Sequence, residues 1–295
     1  MKNNYKIKTK LENGNRIAVI DPAQAEKIFS ERLSNRPLNM AQAKLYARAM
    51  EEGEWLPCSQ ISFCGGRLDD GQHRMMASII SGKPFEGTIY YHNNPDTFAV
   101  FDSGRKRTNA DVLSIEGKKN TTQLACTLNM LERVITHGLD NRFGRSNGAR
   151  IPSYKIMAVL DKYPGIEKAV SVVHCNKSAS KLVTTAPTAI LYYLLNKAVT
   201  ESGYYLTERS PVDVFIVDKL FKGLELSEGD PVYTFRKKLE QARNKASSLG
   251  KGVLAITPKT MLYGGIITWN KWIKNKKCSR INIPDSTALP KILLP

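Results

Sequence analysis

The texture of the chain changes once, near Asn109, and that change limits the fold more than any other feature. Before it, short apolar runs alternate with amphipathic ones. After it, apolar residues recur at three-to-four spacing through "TTQLACTLNMLERVITHG", "SYKIMAVLDKYPGIEKAVSVV", "APTAILYYLLNKAV", "SPVDVFIVDKLFKG", "DPVYTFRKKLEQARNKASSLG" and "TPKTMLYGGIITWNKWIKNKK", the period of helices that bury one face. The spacing predicts an α+β protein: a small mixed-sheet domain over residues 1–115, then an α-helical domain of six helices over 116–295.

Local signals place the elements of the first part. "RIAVI" (Arg16 to Ile20) reads as a strand. Asp21-Pro22-Ala23-Gln24 opens a helix, with Asp as N-cap, Pro at the first helical position and Gln as the capping-box partner. Pro37 ends it by disfavouring the helical region for Arg36. Asn39 starts a second helix that stops at Gly53. In "QISFCGGRL" two apolar runs flank Gly65-Gly66, the signal of a two-residue hairpin. "MMASIISG" is a short helix closed by Gly82, and "GTIYY" and "FAVF" are further strands.

Composition sets the class. With 42% apolar residues in 295, the chain can bury a sizeable core. Its five cysteines (Cys58, Cys64, Cys126, Cys175, Cys278) include no C-x-x-C pair, which points away from a disulfide framework or zinc site and toward a reducing cytoplasm. The polar opening "MKNNYKIKTKLENGNR" lacks a signal-peptide core, and no run reaches the roughly 18 apolar residues of a membrane span. Of the net charge of +17, only +4 falls in the first 120 residues (18 Lys and Arg against 14 Asp and Glu) and +13 lies beyond. Such asymmetry points to a polyanionic partner, DNA foremost, since each cation set on a phosphate releases condensed counterions; a charged surface kept only for solubility is the alternative.

The chemistry concentrates in Arg67-Leu68-Asp69-Asp70-Gly71-Gln72-His73-Arg74-Met75-Met76-Ala77, where a strand meets a helix. A helix starting near His73 aims unpaired N–H groups and a partial positive charge into the preceding loop. Gly71 lets an anion approach the backbone, and Arg74 offers a planar two-pronged donor. Asp69 and Asp70 would repel a bare phosphate, so they suggest Mg²⁺ ligands or a general base; His73 suits acid, base or donor. An ordinary turn and helix cap would use the same residues. A second polar knot, Asp102-Ser103-Gly104-Arg105-Lys106-Arg107-Thr108, follows "FAVF". Its Ser103, Arg105, Lys106 and Arg107 could reach the same anion or nucleic-acid phosphates, or form a solvated loop.

Asp70-Gly71-Gln72-His73-Arg74, in the order "NRPLN", "ARAMEEGEWLPCSQISF", "GGRLDDGQHRMMASIISGKP", "FDSGRKRTNADVL", resembles the DGQHR-type members of the ParB/sulfiredoxin-like superfamily, the ParB-like "nuclease domain" proteins of bacteria, plasmids and phages. The likeness covers residues 15 to 115; "DPVYTFRKKLEQAR" and "ITWNKW" resemble the helical C-terminal portion of the same proteins. In ParB-type clamps the equivalent motif binds the phosphates of CTP, which implies triphosphate contacts for Gly71, His73 and Arg74, with Gln72 inside the motif. Sulfiredoxin carries a cysteine where Gln72 stands here, so cysteine–phosphoryl chemistry is not implied. Free-serine kinases of the superfamily use an acidic residue of a similar motif in phosphoryl transfer, which would make Asp69 or Asp70 base or metal ligand. DNA-modification regulators carry the same string, with a role that is binding rather than catalysis. Nuclease activity is not supported, because the sequence lacks the carboxylate cluster of two-metal cleavage.

The expectation is therefore a cytoplasmic protein, in a host cytoplasm if phage-encoded. It binds a nucleoside triphosphate, with Mg²⁺ near Asp69 or Asp70, and acts with or on DNA; hydrolysis would drive a switch or clamp. A kinase-like phosphotransferase and a nucleotide-free DNA-binding regulator are the alternatives, and homo-oligomerisation stays open. Arg142, Arg145 and Arg150 in "NRFGRSNGARIPS", and Lys271, Lys274, Lys276 and Lys277 in "KWIKNKKCSR", are the candidate nucleic-acid contacts. Trp55, Trp269 and Trp272 are expected in the core, Tyr90, Tyr91 and His92 either half-buried or as a base-stacking platform, and His137 and His174 as structural.

Overall fold

A computed structural model describes residues 5, 7–12, 14–33, 37–56, 60–94, 107–139, 150–176, 182–203, 209–249 and 256–295. The chain divides into two compact units, Met1–Lys106 and Arg107–Pro295. The division falls earlier than residue 115 because the helix Asn109–Ile115 (α4) caps on Thr108 and buries Leu113 completely in the second core.

The first unit is built on a five-stranded mixed sheet in the order β1-β2-β5-β3-β4. Its strands are β1 (Lys8–Glu12), β2 (Asn15–Ile20), β3 (Gln60–Cys64), β4 (Arg67–Asp70) and β5 (Phe85–His92). All neighbours run antiparallel except β3 and β5, which are parallel, with Ser62 beside Tyr90 and Cys64 beside His92. Three helices supply the layer that covers the sheet: α1 (Pro22–Ser30), α2 (Met40–Glu51) and α3 (Gln72–Ser81).

Most of the local signals hold; the exception is the end of α1, which stops at Ser30 with Glu31 as C-cap, ahead of the stop expected from Pro37. Asp21 accepts from the Gln24 N–H at 2.8 Å while Gln24 Oε1 accepts from the Asp21 N–H, a complete capping box. The Asn39 side chain caps α2 through the Ala41 and Gln42 N–H groups. Gly65 and Gly66 both sit at positive φ (55° and 85°), as the tight β3–β4 turn requires. The core gathers Ile20, Ile28, Ile61, Phe63, Leu68, Met75 and Phe85. Trp55 docks at its edge, donating Nε1–H to the Glu86 carbonyl and meeting Tyr46 and Phe85 edge-on. "FAVF" lies outside the described residues.

The second unit is helical and has more helices than the six expected: α4, α5 (Thr121–His137), α6 (Ile156–Asp161), α7 (Ile166–Cys175), α8 (Thr185–Glu201), α9 (Pro211–Asp213), α10 (Pro231–Leu249) and α11 (Pro258–Trp272). The stretch from Ser153 to Val173 breaks at Pro164-Gly165. Proline has no N–H for the helix ladder, and Gly165 starts α7 at φ 91°. Helix α9 passes into a π-helical stretch, Val214–Lys222, closed by Gly223 at φ 72°. Trp269 is fully buried against Phe215 and Trp272 and donates Nε1–H to the Leu293 carbonyl. His137 and His174 sit in the last turns of α5 and α7. Among the described residues no helix is long and apolar enough to cross a membrane.

Helix α11 reaches the centre of this core because Gly264 and Gly265 present no side chains. A Cβ on Gly265 would lie 2.4 Å from Leu191 Cδ2, and one on Gly264 would lie 2.8 Å from the Phe235 ring. Helical glycine-to-alanine changes ordinarily stabilise by about 1 kcal/mol. Here overpacking against a fully buried leucine outweighs propensity, so Gly265→Ala should destabilise by about 1–3 kcal/mol. Urea unfolding of wild type and variant measures the sign directly.

Candidate functional site

The motif occupies the far edge of the sheet, where β4 turns into α3. Its strand is pinned from outside: Leu33 N–H donates to the Leu68 carbonyl (2.9 Å), and Arg67 Nε–H donates to the Glu31 carbonyl at the end of α1 (2.8 Å). Inside the hairpin the register slips. Phe63 faces Leu68 but Ser62 faces Asp70, so Asp69 is the extra residue of a β-bulge. A bulge re-aims a side chain. Strand alternation already sets Asp69 on the face opposite Leu68, with Ser62; the slip brings Asp70 opposite Ser62 too, off the core face that an unbroken register would give it.

Asp69 is 3% exposed, and its Oδ2 lies 2.8 Å from His92 Nε2. The same nitrogen lies 3.1 Å from Ser62 Oγ, while His92 Nδ1–H donates to the Asn94 carbonyl at 2.9 Å. Serine, histidine and aspartate together invite comparison with a nucleophilic triad, and the geometry rejects it. A triad places the carboxylate on one ring nitrogen and the hydroxyl on the other. Here both share Nε2, and all three residues are buried. The cluster is a polar brace joining β3, β4 and β5.

Tyr90, Tyr91 and His92 were expected either half-buried or as a base-stacking platform, and the structure divides the three. Tyr90 is 45% exposed and stacks on the His92 ring with centroids 5.4 Å apart. Tyr91 points to the opposite face and stacks on Phe63 at 5.3 Å, where burial pushes its hydroxyl above the usual tyrosine range.

The remaining motif residues surround the start of α3. Gly71 is its N-cap at φ 119° and provides no side-chain cap. A Cβ there would lie 3.3 Å from Ile61 Cγ2, so glycine is needed for conformation and for space. The helix therefore begins one to two residues earlier than expected, at Gln72, whose side chain is buried. His73 Nε2 accepts the Asn39 N–H at 3.1 Å, tying the start of α3 to the cap of α2. Arg74 Nη2–H donates to Asp70 Oδ2 at 2.9 Å and Nη1–H donates to the Gln60 carbonyl. Its side chain is 13% exposed against 35% for Asp70.

Asp69 and Asp70 thus point to different partners rather than to one shared ion. Among the described residues no group of three or more His, Cys, Asp or Glu could hold a metal. Of the two, the more exposed Asp70 is the one suited to share Mg²⁺ with a bound phosphate, since that ion needs only one or two carboxylates beside phosphate oxygens.

Arg107 is exposed and belongs to the second unit. Arg150 is exposed as well, whereas Ser103, Arg105, Lys106, Arg142 and Arg145 lie outside the described residues. Lys271 is half-buried and donates Nζ–H to Cys278 Sγ at 3.0 Å, which withdraws it from the expected basic run. Lys274, Lys276 and Lys277 are exposed beyond the end of α11. A comparison with protein-family models, curated proteins and solved structures finds no match.

The brace makes a thermodynamic prediction. Removing one partner of a buried pair strands the other, at a cost of about 3–5 kcal/mol. Asp69→Ala and His92→Ala should each destabilise the protein by about that amount, and the double variant by much less than the sum. A double-mutant cycle by urea unfolding checks it, with additivity as the contrary result.

Proposed function

We propose that the first unit binds the phosphates of a nucleoside triphosphate where β4 meets α3, and that the protein acts with or on DNA through its basic second unit. The observation that carries this reading is the Arg74 guanidinium, held in place beside Gly71, the side-chain-free N-cap of α3. The positive end of the helix dipole favours an anion there, and Gly71 puts no side chain in its way. Arg74 stands one turn in, its guanidinium oriented by Asp70 and the Gln60 carbonyl. Two of its donors are used there, and a guanidinium carries more. The likeness of Asp70 to Arg74 to the ParB-like motif supports the same ligand.

Both carboxylates already hold basic partners, which favours binding and orientation of phosphate over base catalysis. Asp70 shields Arg74 when the site is empty. With ligand present it can share Mg²⁺ with the phosphates. Of the contacts expected beyond the motif, Arg107 is assigned here to the nucleic-acid side, with Arg150, Lys274, Lys276 and Lys277.

Calorimetry with ATP, CTP, GTP and UTP, with and without Mg²⁺, tests the reading. One nucleotide should bind wild type and weaken about 10-fold to 100-fold in Arg74→Ala, the range for a lost charged hydrogen bond. Asp70→Asn separates the two roles of that carboxylate. It should tighten binding in EDTA, where the carboxylate only opposes the phosphates, and weaken it in Mg²⁺. Absence of binding at millimolar nucleotide would leave Arg74 as a brace for the hairpin and overturn the proposal.

A further inference from the structure

We infer that Arg107, Arg150, Tyr154 and Lys155 form one surface of the second unit that takes single-stranded nucleic acid. This deepens the nucleic-acid half of the reading above and rests on that half alone; the nucleotide site is not involved. Two segments far apart in sequence are stitched together here. Asn109 Nδ2–H donates to the Ile151 carbonyl at 2.9 Å, across 42 residues. Ser153 Oγ–H reaches Asn109 Oδ1 (2.9 Å) and the Arg107 carbonyl (3.4 Å). From the other side Asn129 Oδ1 accepts the Ile151 N–H at 2.8 Å. The backbone under the patch is therefore held by side-chain amides, while Arg107 and Arg150 are both exposed.

Charge and shape then select the partner. Two arginines and Lys155 favour a polyanion. The nearest acid on α4, Asp111, is committed to the Thr108 cap through both the N–H and the hydroxyl. Among these cations stands Tyr154, 51% exposed, with Lys155 Nζ 5.9 Å from its ring centroid. An exposed ring beside cations is of little use to a closed duplex, whose bases hide their faces in the stack. A single strand offers both phosphates and unstacked bases, and base–aromatic stacking tolerates any sequence.

Fluorescence anisotropy of the full chain with a labelled 20-nucleotide oligo-dT, and with a duplex of equal length, tests this at several salt concentrations. Tyr154→Ala should weaken oligo-dT binding about fivefold or more, Tyr154→Phe should retain it, and duplex binding should not respond to either. Arg107→Ala/Arg150→Ala should weaken oligo-dT binding and flatten its log–log salt slope by about 1.4, two phosphate contacts' worth. The three substituted side chains, Arg107, Arg150 and Tyr154, are exposed, and thermal melts check that the variants fold. Wild-type affinity in both Tyr154→Ala and the double variant overturns the assignment of this patch. Failure of wild type to bind either polymer overturns it too and removes the nucleic-acid half of the reading, while the separate nucleotide calorimetry stands on its own.

Discussion

A single backbone constraint organises the first unit: the chain must leave β4 and enter α3 within one residue. Gly71 makes that joint at φ 119° with Ile61 packed against the place a Cβ would occupy. A side chain there would be strained and would push β3 away. Everything specific to the motif hangs from this joint. Asp69 and Asp70 are the last strand residues before it, and Gln72, His73 and Arg74 are the first helical ones after it. Five successive positions of chemistry are thus delivered in three directions by one change of backbone direction.

Those directions separate structure from ligand chemistry. Asp69 goes inward to His92 and Ser62, where a low-dielectric setting makes each hydrogen bond strong and each loss costly. His73 reaches sideways to Asn39 and fixes α3 against α2. Arg74 folds back over the start of β3, where it pairs with the partly exposed Asp70. Treating the motif as one uniform phosphate loop would miss this division. Some of its polar groups hold the sheet edge in place, and Asp70 and Arg74 are left to form the anion site proposed above.

Much of this was readable wherever the cause was local. The Asp21–Gln24 capping box, the Asn39 cap, the Gly65-Gly66 turn and the stop at Gly82 all depend on residues within a few positions of each other. Pro164-Gly165 is an equally local break, yet the periodicity reads across it as one helical stretch. The Asp69–His92 contact was not readable. It joins residues 23 apart and exists only because β3 lies between β4 and β5, parallel to β5, so that Asp69 and His92 meet over Ser62. The same holds for the patch of Arg107 and Tyr154, since nothing in either segment announces that the other lies beside it.

The sequence by itself determined the division into a sheet-bearing part and a helical part, the start and stop of most helices of the first unit, and the concentration of positive charge in the second. These follow from hydrophobic period, capping and composition, which act over short distances or over the whole chain at once. Only the tertiary structure decided which polar residues are bracing and which stay available. Burial and hydrogen-bond partners depend on strand order and on neighbours that the chain brings in from afar. Asp69 and Asp70 are adjacent and chemically alike in the sequence; strand order buries the first against His92, and the register slip beside it leaves the second partly exposed with Arg74.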